Sequence, residues 1–420
     1  MNQELKKLTR SVYAISTLVV LAFFGFFWFL SRSFISLRID PKIALVMIDD
    51  TPVRATAAGI ARKILTPGEH LIRIEASGYV GYSRAITFKR GLNKEVLVSL
   101  KVMPKTTEVA ADGRFLSKGA DFGDFFYLGS GGKTIYKVKL TLDEKKEIKK
   151  VEERPITEAR LSGIQEIIWS PNRELALLRK SDGLYLFDFY KYDFVNQRET
   201  FWGKDIGSAA WAPDNSKVAY FYNPPGEQSL VFANLSNSES TRVANLTEMG
   251  IENPLLRWSP DSEWLFVTPR SKDYSKNKIY LFNAYSRSFK ELTEGGSQAE
   301  ALFSPDCNKI LYWTYQKGSE AEPSFVLSVM NKDGSEKRSL DIRADTGKAT
   351  WMSDSKNIVV ALPGESGLLS LVAYNTQSIK ESGFALPDVV KSLVSLAVSN
   401  DNKILVFESD NKILAIKAEE

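Results

Sequence analysis

The chain has 420 residues, more than one ordinary hydrophobic core contains, which indicates two or three domains. Hydrophobic residues make up 44% of it and charged residues 25%, a globular composition that excludes a largely disordered protein. The net charge of +4 is not gathered into a basic stripe, which argues against nucleic-acid binding, and the single cysteine, Cys307, excludes an intramolecular disulfide.

An apolar segment without any charge occupies residues 12–30. Its length is about what a helix needs to cross a bilayer core. Three basic residues precede it, which favours a cytoplasmic N-terminus and places the rest of the chain outside the cytoplasm. We therefore predict a cytoplasmic tip and a transmembrane helix over residues 1–34, giving a single-pass membrane protein. A cleaved signal peptide is the alternative, although its apolar part is usually shorter.

The hydrophobic pattern changes to strict alternation between residues 35 and 103. For example, Ile72 and Ile74 alternate with charged residues, as expected for half-buried strands. The segment resembles a PEGA domain, because Pro67 and Gly68 precede this strand and a Gly-Tyr pair follows it at residues 78–79. The resemblance implies a small extracytoplasmic β-sandwich. His70 lies here, and without a second histidine in the chain we expect no metal role for it.

A corner motif led by an aromatic residue recurs along the remaining chain. Successive copies start 42 to 48 residues apart, and each precedes a short hydrophobic strand. This period predicts a β-propeller, in which the aromatic residue wedges between neighbouring sheets while proline and aspartate form the turn. We therefore expect structural roles for Trp169, Pro171, Trp211, Pro213, Asp214, Trp258, Pro260, Asp261, Phe303, Pro305, Asp306, Trp351, Asp354 and Asp401.

These units resemble the WD-like PD repeats of TolB-type β-propellers over residues 160–420. The glycine that usually follows the aspartate in that family is replaced here by Asn215, Ser262, Cys307, Ser355 and Asn402. This departure concerns the geometry of the turn and leaves the predicted architecture unchanged.

Six such units are visible, and a degenerate seventh precedes them at residues 115–140. A strand within residues 105–111 is expected to complete the last unit and so close the ring. We predict an all-β protein with an N-terminal transmembrane helix, a small PEGA-like β-sandwich over residues 35–103 and a seven-bladed β-propeller over residues 104–420. Six blades are the alternative.

The chain contains no GxSxG, HExxH, P-loop or Rossmann motif, so we predict neither an enzyme nor a cofactor. The first functional hypothesis is a membrane-anchored, extracytoplasmic protein whose propeller binds a protein partner at the cell surface. One alternative is binding of cell-wall or surface polysaccharide by aromatic rings on the rim, for which the candidates are Tyr190, Tyr192, Phe194 and Trp202. These rings also suit an outer strand and the core between blades. The other alternative is a propeller hydrolase that uses paired carboxylates.

Overall fold

The computed structural model describes residues 16–20 and 32–418, apart from residues 80, 91–92, 101, 103–104, 158–160, 190–198, 272, 275–276, 295–297, 317–323, 364–368, 379–380 and 386–391. The chain divides into two compact units, Met1–Met103 and Pro104–Glu420.

The predicted fold class was wrong in its N-terminal transmembrane helix. Of the predicted segment, the structure describes residues 16–20, which are helical, and the others lie outside the described residues. Within the described part of the chain, no helix is long and apolar enough to cross a membrane.

The first unit contains seven described strands in two sheets. One sheet has the order β4-β1-β7, with β1 and β7 parallel, and the other has the order β3-β2-β5-β6. The side chains of Ile35, Val46 and Ile72 alternate with exposed residues and share one core. The assignment of this unit to the PEGA family stays a prediction. Its strands are β1 (Ser33–Asp40), β2 (Leu45–Ile48), β3 (Thr51–Val53), β4 (Ile60–Leu65), β5 (Gly68–Glu75), β6 (Tyr82–Phe88) and β7 (Asn93–Ser99).

The second unit contains seven four-stranded antiparallel sheets among its described residues, which we number as blades 1 to 7. Blade 1 comprises β9 (Arg114–Lys118), β10 (Asp124–Gly129), β11 (Thr134–Leu142) and β12 (Ile148–Pro155). Blade 2 comprises β13 (Glu166–Trp169), β14 (Leu175–Lys180), β15 (Gly183–Asp188) and β16 (Thr200–Gly203). Blade 3 comprises β17 (Ile206–Trp211), β18 (Val218–Tyr222), β19 (Ser229–Ala233) and β20 (Ser240–Asn245).

Blades 4 to 6 follow the same strand order. Blade 4 comprises β21 (Leu255–Trp258), β22 (Trp264–Thr268), β23 (Tyr280–Asn283) and β24 (Phe289–Glu291). Blade 5 comprises β25 (Gln298–Phe303), β26 (Lys309–Gln316), β27 (Ser324–Asn331) and β28 (Arg338–Arg343). Blade 6 comprises β29 (Ala349–Trp351), β30 (Asn357–Pro363), β31 (Leu369–Asn375) and β32 (Glu381–Ala385).

Blade 7 joins the two ends of the second unit. It consists of β33 (Ser395–Val398), β34 (Ile404–Ser409), β35 (Lys412–Lys417) and, as its fourth strand, β8 (Thr107–Ala110). Ala110 pairs with Ile413 in this sheet. The described blades therefore number seven, the larger of the two counts that the sequence left open, and the ring closes through the segment expected to close it.

The hydrophobic core of the propeller lies between the blades. Strand β26 shows how it forms: Ile310 and Tyr312 pack towards blade 4, whereas the alternate residues Leu311 and Trp313 pack towards blade 6. A strand buried on both faces has a continuous apolar sequence, which explains why the second strand of each blade was so easily recognised. The last such cluster joins Val109 of β8 and Ile413 of β35 to Phe125 of blade 1.

Candidate functional site

The aromatic residue of each corner ends the first strand of its blade, as the repeat predicted. The indole Nε1 of Trp211 donates a hydrogen bond to the carbonyl oxygen of Ile168, at 2.8 Å, and Trp258 donates in the same way to Ala210, at 3.0 Å. Trp351 donates to Leu302, at 3.3 Å. The acceptor is in each case the residue just before the aromatic residue of the preceding blade, so these rings tie successive blades together.

The corner aspartates hold the turns. Oδ1 of Asp214, Asp306 and Asp354 accepts a hydrogen bond from the backbone N–H two residues further on, at 2.9 to 3.1 Å. Burial would raise the pKa of Asp261, but hydrogen bonds from Lys332, Ser259 and the Glu263 backbone hold it at about 2. Asp261 is thus ionised, and all four carboxylates are occupied by the hydrogen bonds of their turns.

The residue after the corner aspartate has a left-handed backbone although it is not glycine. Its φ is 58° at Asn215, 60° at Ser262, 61° at Cys307, 58° at Ser355 and 60° at Asn402. The turn that the family forms with glycine is therefore kept, at the cost of a conformation that non-glycine residues adopt rarely. Burial raises the pKa of the Cys307 thiol, so the thiol is protonated at neutral pH.

These replacements supply a second set of contacts between blades. The hydroxyl of Ser262 accepts the backbone N–H of Asp214, at 2.9 Å, and that of Ser355 accepts the N–H of Asp306, at 3.0 Å. Each bond joins a corner to the corner of the preceding blade. A glycine would relax the backbone but could not accept this hydrogen bond.

The aromatic rim residues proposed from sequence are not brought together among the described residues. Tyr190, Tyr192 and Phe194 lie outside them. Trp202 is only 4% exposed, donates Nε1 to the carbonyl of Leu235 and packs edge-on against Tyr220. Its position matches the interpretation of this stretch as core between blades.

A cavity lies where the ring closes, between blades 7 and 1. We call it the closure groove, and its volume is about 690 Å³. It is lined by Phe122, Gly123, Lys139, Leu140, Thr141, Leu142, Lys146, Ser399, Asp401, Lys403, Ile404, Lys417 and Ala418.

The closure groove combines an apolar floor with a basic rim. Four lysines face one aspartate, and the Lys403 ammonium lies 3.8 Å from the Asp401 carboxylate. Lys139, Lys146 and Lys417 form no ion pair with any acid in the described part of the chain. Phe122 is 60% exposed beside them, which is unusual for a large aromatic ring. This arrangement can hold an anionic group that carries an apolar part.

Sequence reasoning did not find this groove. Its lysines belong to the first and the last blade, almost 280 residues apart, and only closure of the ring makes them neighbours. Each one separately is an ordinary charged residue of a surface strand or turn.

The fold and its corners define the class: a closed seven-bladed β-propeller whose blades are joined by aromatic and aspartate-containing corners. The sequence profile of the TolB beta propeller domain, PD40, matches residues 179–412. The chain belongs to this family. A comparison with the curated proteins finds no match.

Solved structures with the same fold are distant in sequence. An oligogalacturonate lyase from Vibrio parahaemolyticus is 12% identical, with a TM-score of 0.53 over 76% of this chain and 98% of its own. Kuenenia stuttgartiensis hydrazine synthase is 11% identical, with a TM-score of 0.50 over 74% and 96%. TolB from Acinetobacter baumannii is 13% identical over 76% and 81%, with a TM-score of 0.39 that carries no argument. These likenesses concern the fold alone.

Proposed function

We propose that this propeller is a binding protein and that its closure groove holds an acidic segment of a protein partner. The observation that carries the proposal is the set of three lysines without an acidic partner around an apolar floor. A cavity of about 690 Å³ is within the range of pockets that bind small molecules or short peptide segments.

The chemistry of the groove defines what would fill it. Carboxylates of aspartate or glutamate would pair with Lys139 and Lys417, and an apolar side chain between them would cover Leu140 and Ile404. Opposite charges of this kind mainly increase the rate of association and select the partner, while the apolar contact adds affinity. Binding should therefore weaken as the salt concentration rises.

We propose binding rather than catalysis because the corner carboxylates already hold turns. Cell-surface polysaccharide is the competing ligand, and crosslinking at the groove distinguishes it from a protein partner. The predicted location outside the cytoplasm stays a prediction.

The test combines crosslinking with charge reversal. A photo-crosslinking amino acid in place of Phe122 should capture one defined protein in native cells, identified by mass spectrometry. Replacing Lys139, Lys146 and Lys417 together with glutamate should weaken binding of that protein roughly tenfold or more, because each exposed ion pair contributes about 0.2–1 kcal/mol.

Lys204 and Lys337 provide the matched control, since both are exposed lysines of the propeller outside the groove. Their replacement with glutamate should leave binding unchanged. The proposal would be overturned if both sets of variants bound equally well, or if the Phe122 position captured glycan and no protein.

A further inference from the structure

A second groove lies between blades 1 and 2, at a junction that departs from the regular pattern. Its volume is about 510 Å³, and its walls include Asp121, Asp124, Lys137, Arg154, Arg173 and Phe189. Trp169 of blade 2 has the position from which Trp211 and Trp258 bond to the preceding blade, yet its Nε1 has no hydrogen-bond partner among the described residues.

Two buried polar atoms of the groove walls also have no partner in the described part of the chain: Oδ1 of Asp124 and Nε of Arg173. Asp124 is only 2% exposed, and its other oxygen pairs with the Lys137 ammonium at 2.6 Å. The charge of Asp124 is thus balanced already, and what its free oxygen lacks is a hydrogen-bond donor rather than a cation.

Arg173, in contrast, lacks an anion to balance its charge. It takes the left-handed corner position, with φ of 62°, and its guanidinium bonds to the carbonyl of Lys118 while lying over the ring of Trp169. No carboxylate of the described residues forms an ion pair with it. Burial lowers the pKa of Arg173 to about 10, so the group stays charged at neutral pH without a compensating anion.

Because Asp124 lacks a hydrogen-bond donor and Arg173 lacks an anion, we propose that the groove between blades 1 and 2 binds a small hydroxylated carboxylate, such as a uronic acid unit. The carboxylate accepts a hydrogen bond from Arg173, a neighbouring hydroxyl donates to Oδ1 of Asp124, and the carbon ring packs beside Phe189. Binding involves turning the tips of Asp124 and Arg173 towards the ligand, which supplies each with the partner that it lacks. This site is separate from the closure groove.

Titration calorimetry on the full chain, with glucuronate and galacturonate as probes, tests the proposal, and glucose and galactose serve as matched ligands without a carboxylate. We expect both acids to bind and each neutral sugar to bind at least tenfold more weakly. If neither acid binds, or if the sugars bind as well as the acids, the proposal is wrong.

Arg173→Asn is the decisive variant, because Asn215 and Asn402 show that asparagine is accommodated at the same corner position of other blades. It should keep the fold and weaken uronate binding at least tenfold, and Asp124→Asn should weaken it as well. Asn215→Ser changes the corresponding residue of the next blade and should leave binding unchanged. Uronate binding that persists in Arg173→Asn overturns the assignment.

The lysine variants of the closure groove separate the two proposals. Glutamate at Lys139, Lys146 and Lys417 should leave uronate affinity unaltered, so that loss of the protein partner and loss of the uronate are distinguishable results.

Discussion

Single residues of the corners decide how the blades join. Ser262 and Ser355 adopt a backbone conformation that favours glycine, and both accept a hydrogen bond from the preceding corner. The unfavourable backbone is thus offset by a contact that glycine could not make. Substitutions at Ser262 separate these two contributions.

Ser262→Ala should lower the free energy of unfolding by about 0.5–1.5 kcal/mol, because it removes the hydrogen bond that the Ser262 hydroxyl accepts from the partly buried N–H of Asp214. Ser262→Gly should cost less than alanine by about 0.5–1 kcal/mol, since glycine adopts positive φ freely. Urea denaturation of both variants measures the difference. An alanine variant as stable as the natural protein would show that the hydrogen bond contributes nothing.

His70 gives a second prediction at this scale. Its Nδ1 lies 2.6 Å from Oδ2 of Asp49 and its Nε2 lies 2.8 Å from the carbonyl of Thr66, so both ring nitrogens face acceptors. Burial lowers the pKa of His70, but these two hydrogen bonds outweigh it and raise the pKa above its ordinary 6.5. The pKa of Asp49 is lowered below 3.8, chiefly by the His70 hydrogen bond.

The charged pair should therefore stabilise the first unit between the two pKa values. The His70 contribution is present in full below pH 6.5 and is lost as the pH rises through the raised pKa, and the Asp49 contribution is lost as the pH falls through the lowered one. His70→Gln should reduce the difference between the melting temperatures at pH 6 and pH 9, measured by thermal unfolding. Arg73→Gln, which removes an exposed pair with Asp50, is the control. An equal gap in both variants would contradict the assignment.

At the scale of elements, the first strands of blades 3, 4 and 6 are each tied to the preceding blade by the indole of their terminal tryptophan. The sequence placed these residues at strand ends, but it did not reveal that their indole N–H groups reach across to the preceding blade. The bond is dispensable at other junctions, because Phe303 of blade 5 has no N–H to donate and Nε1 of Trp169 in blade 2 has no partner among the described residues.

Trp258→Phe should keep the packing of the ring and remove the hydrogen bond to the carbonyl of Ala210. We expect a loss of about 0.5–1.5 kcal/mol in the free energy of unfolding, plus a smaller packing loss. Trp258→Ala should cost about 3–5 kcal/mol, because the ring belongs to the core between blades 3 and 4. If phenylalanine costs as much as alanine, the bond between blades is not what the indole provides.

For the whole molecule, closure of the ring is the decisive event. β8 reaches β35 across about 300 residues of sequence and covers the edge that blade 7 would otherwise expose. The same closure creates the groove between blades 7 and 1. Stability of the ring and the binding site proposed there thus depend on the same strand pair.

Val109→Asp places an unpaired charge in the cluster between blades 7 and 1, where Val109 is buried. It should destabilise the propeller by about 2–4 kcal/mol. Hydrogen exchange should rise first in β8 and β35, before the other blades lose protection. Glu108→Gln, on the exposed side of the same strand, should change neither the stability of the propeller nor its hydrogen exchange. Uniform loss of protection in all blades would contradict a local role for the closing strand.

The repeat and its consequences could be predicted from sequence because they are local. An aromatic residue, a proline and an aspartate at fixed spacing specify a turn wherever they occur, and a period near 45 residues implies identical units that must stack. The predicted transmembrane helix at residues 12–30 rested on composition and length alone, and no helix in the described part of the chain is long and apolar enough to cross a membrane. Trp202, for which the sequence left both a ring on the rim and a ring in the core open, is buried.

By itself, the sequence determined the propeller: its corners, the alternation of its strands and the segment that closes it. Only the tertiary structure decided which polar groups lack partners. The sequence does not distinguish Lys139, Lys417, Asp124 or Arg173 from other charged residues, because a charge can be recognised as unpaired only when the residues around it are known. Those residues come from blades that are distant in the chain, and the closed ring brings them together.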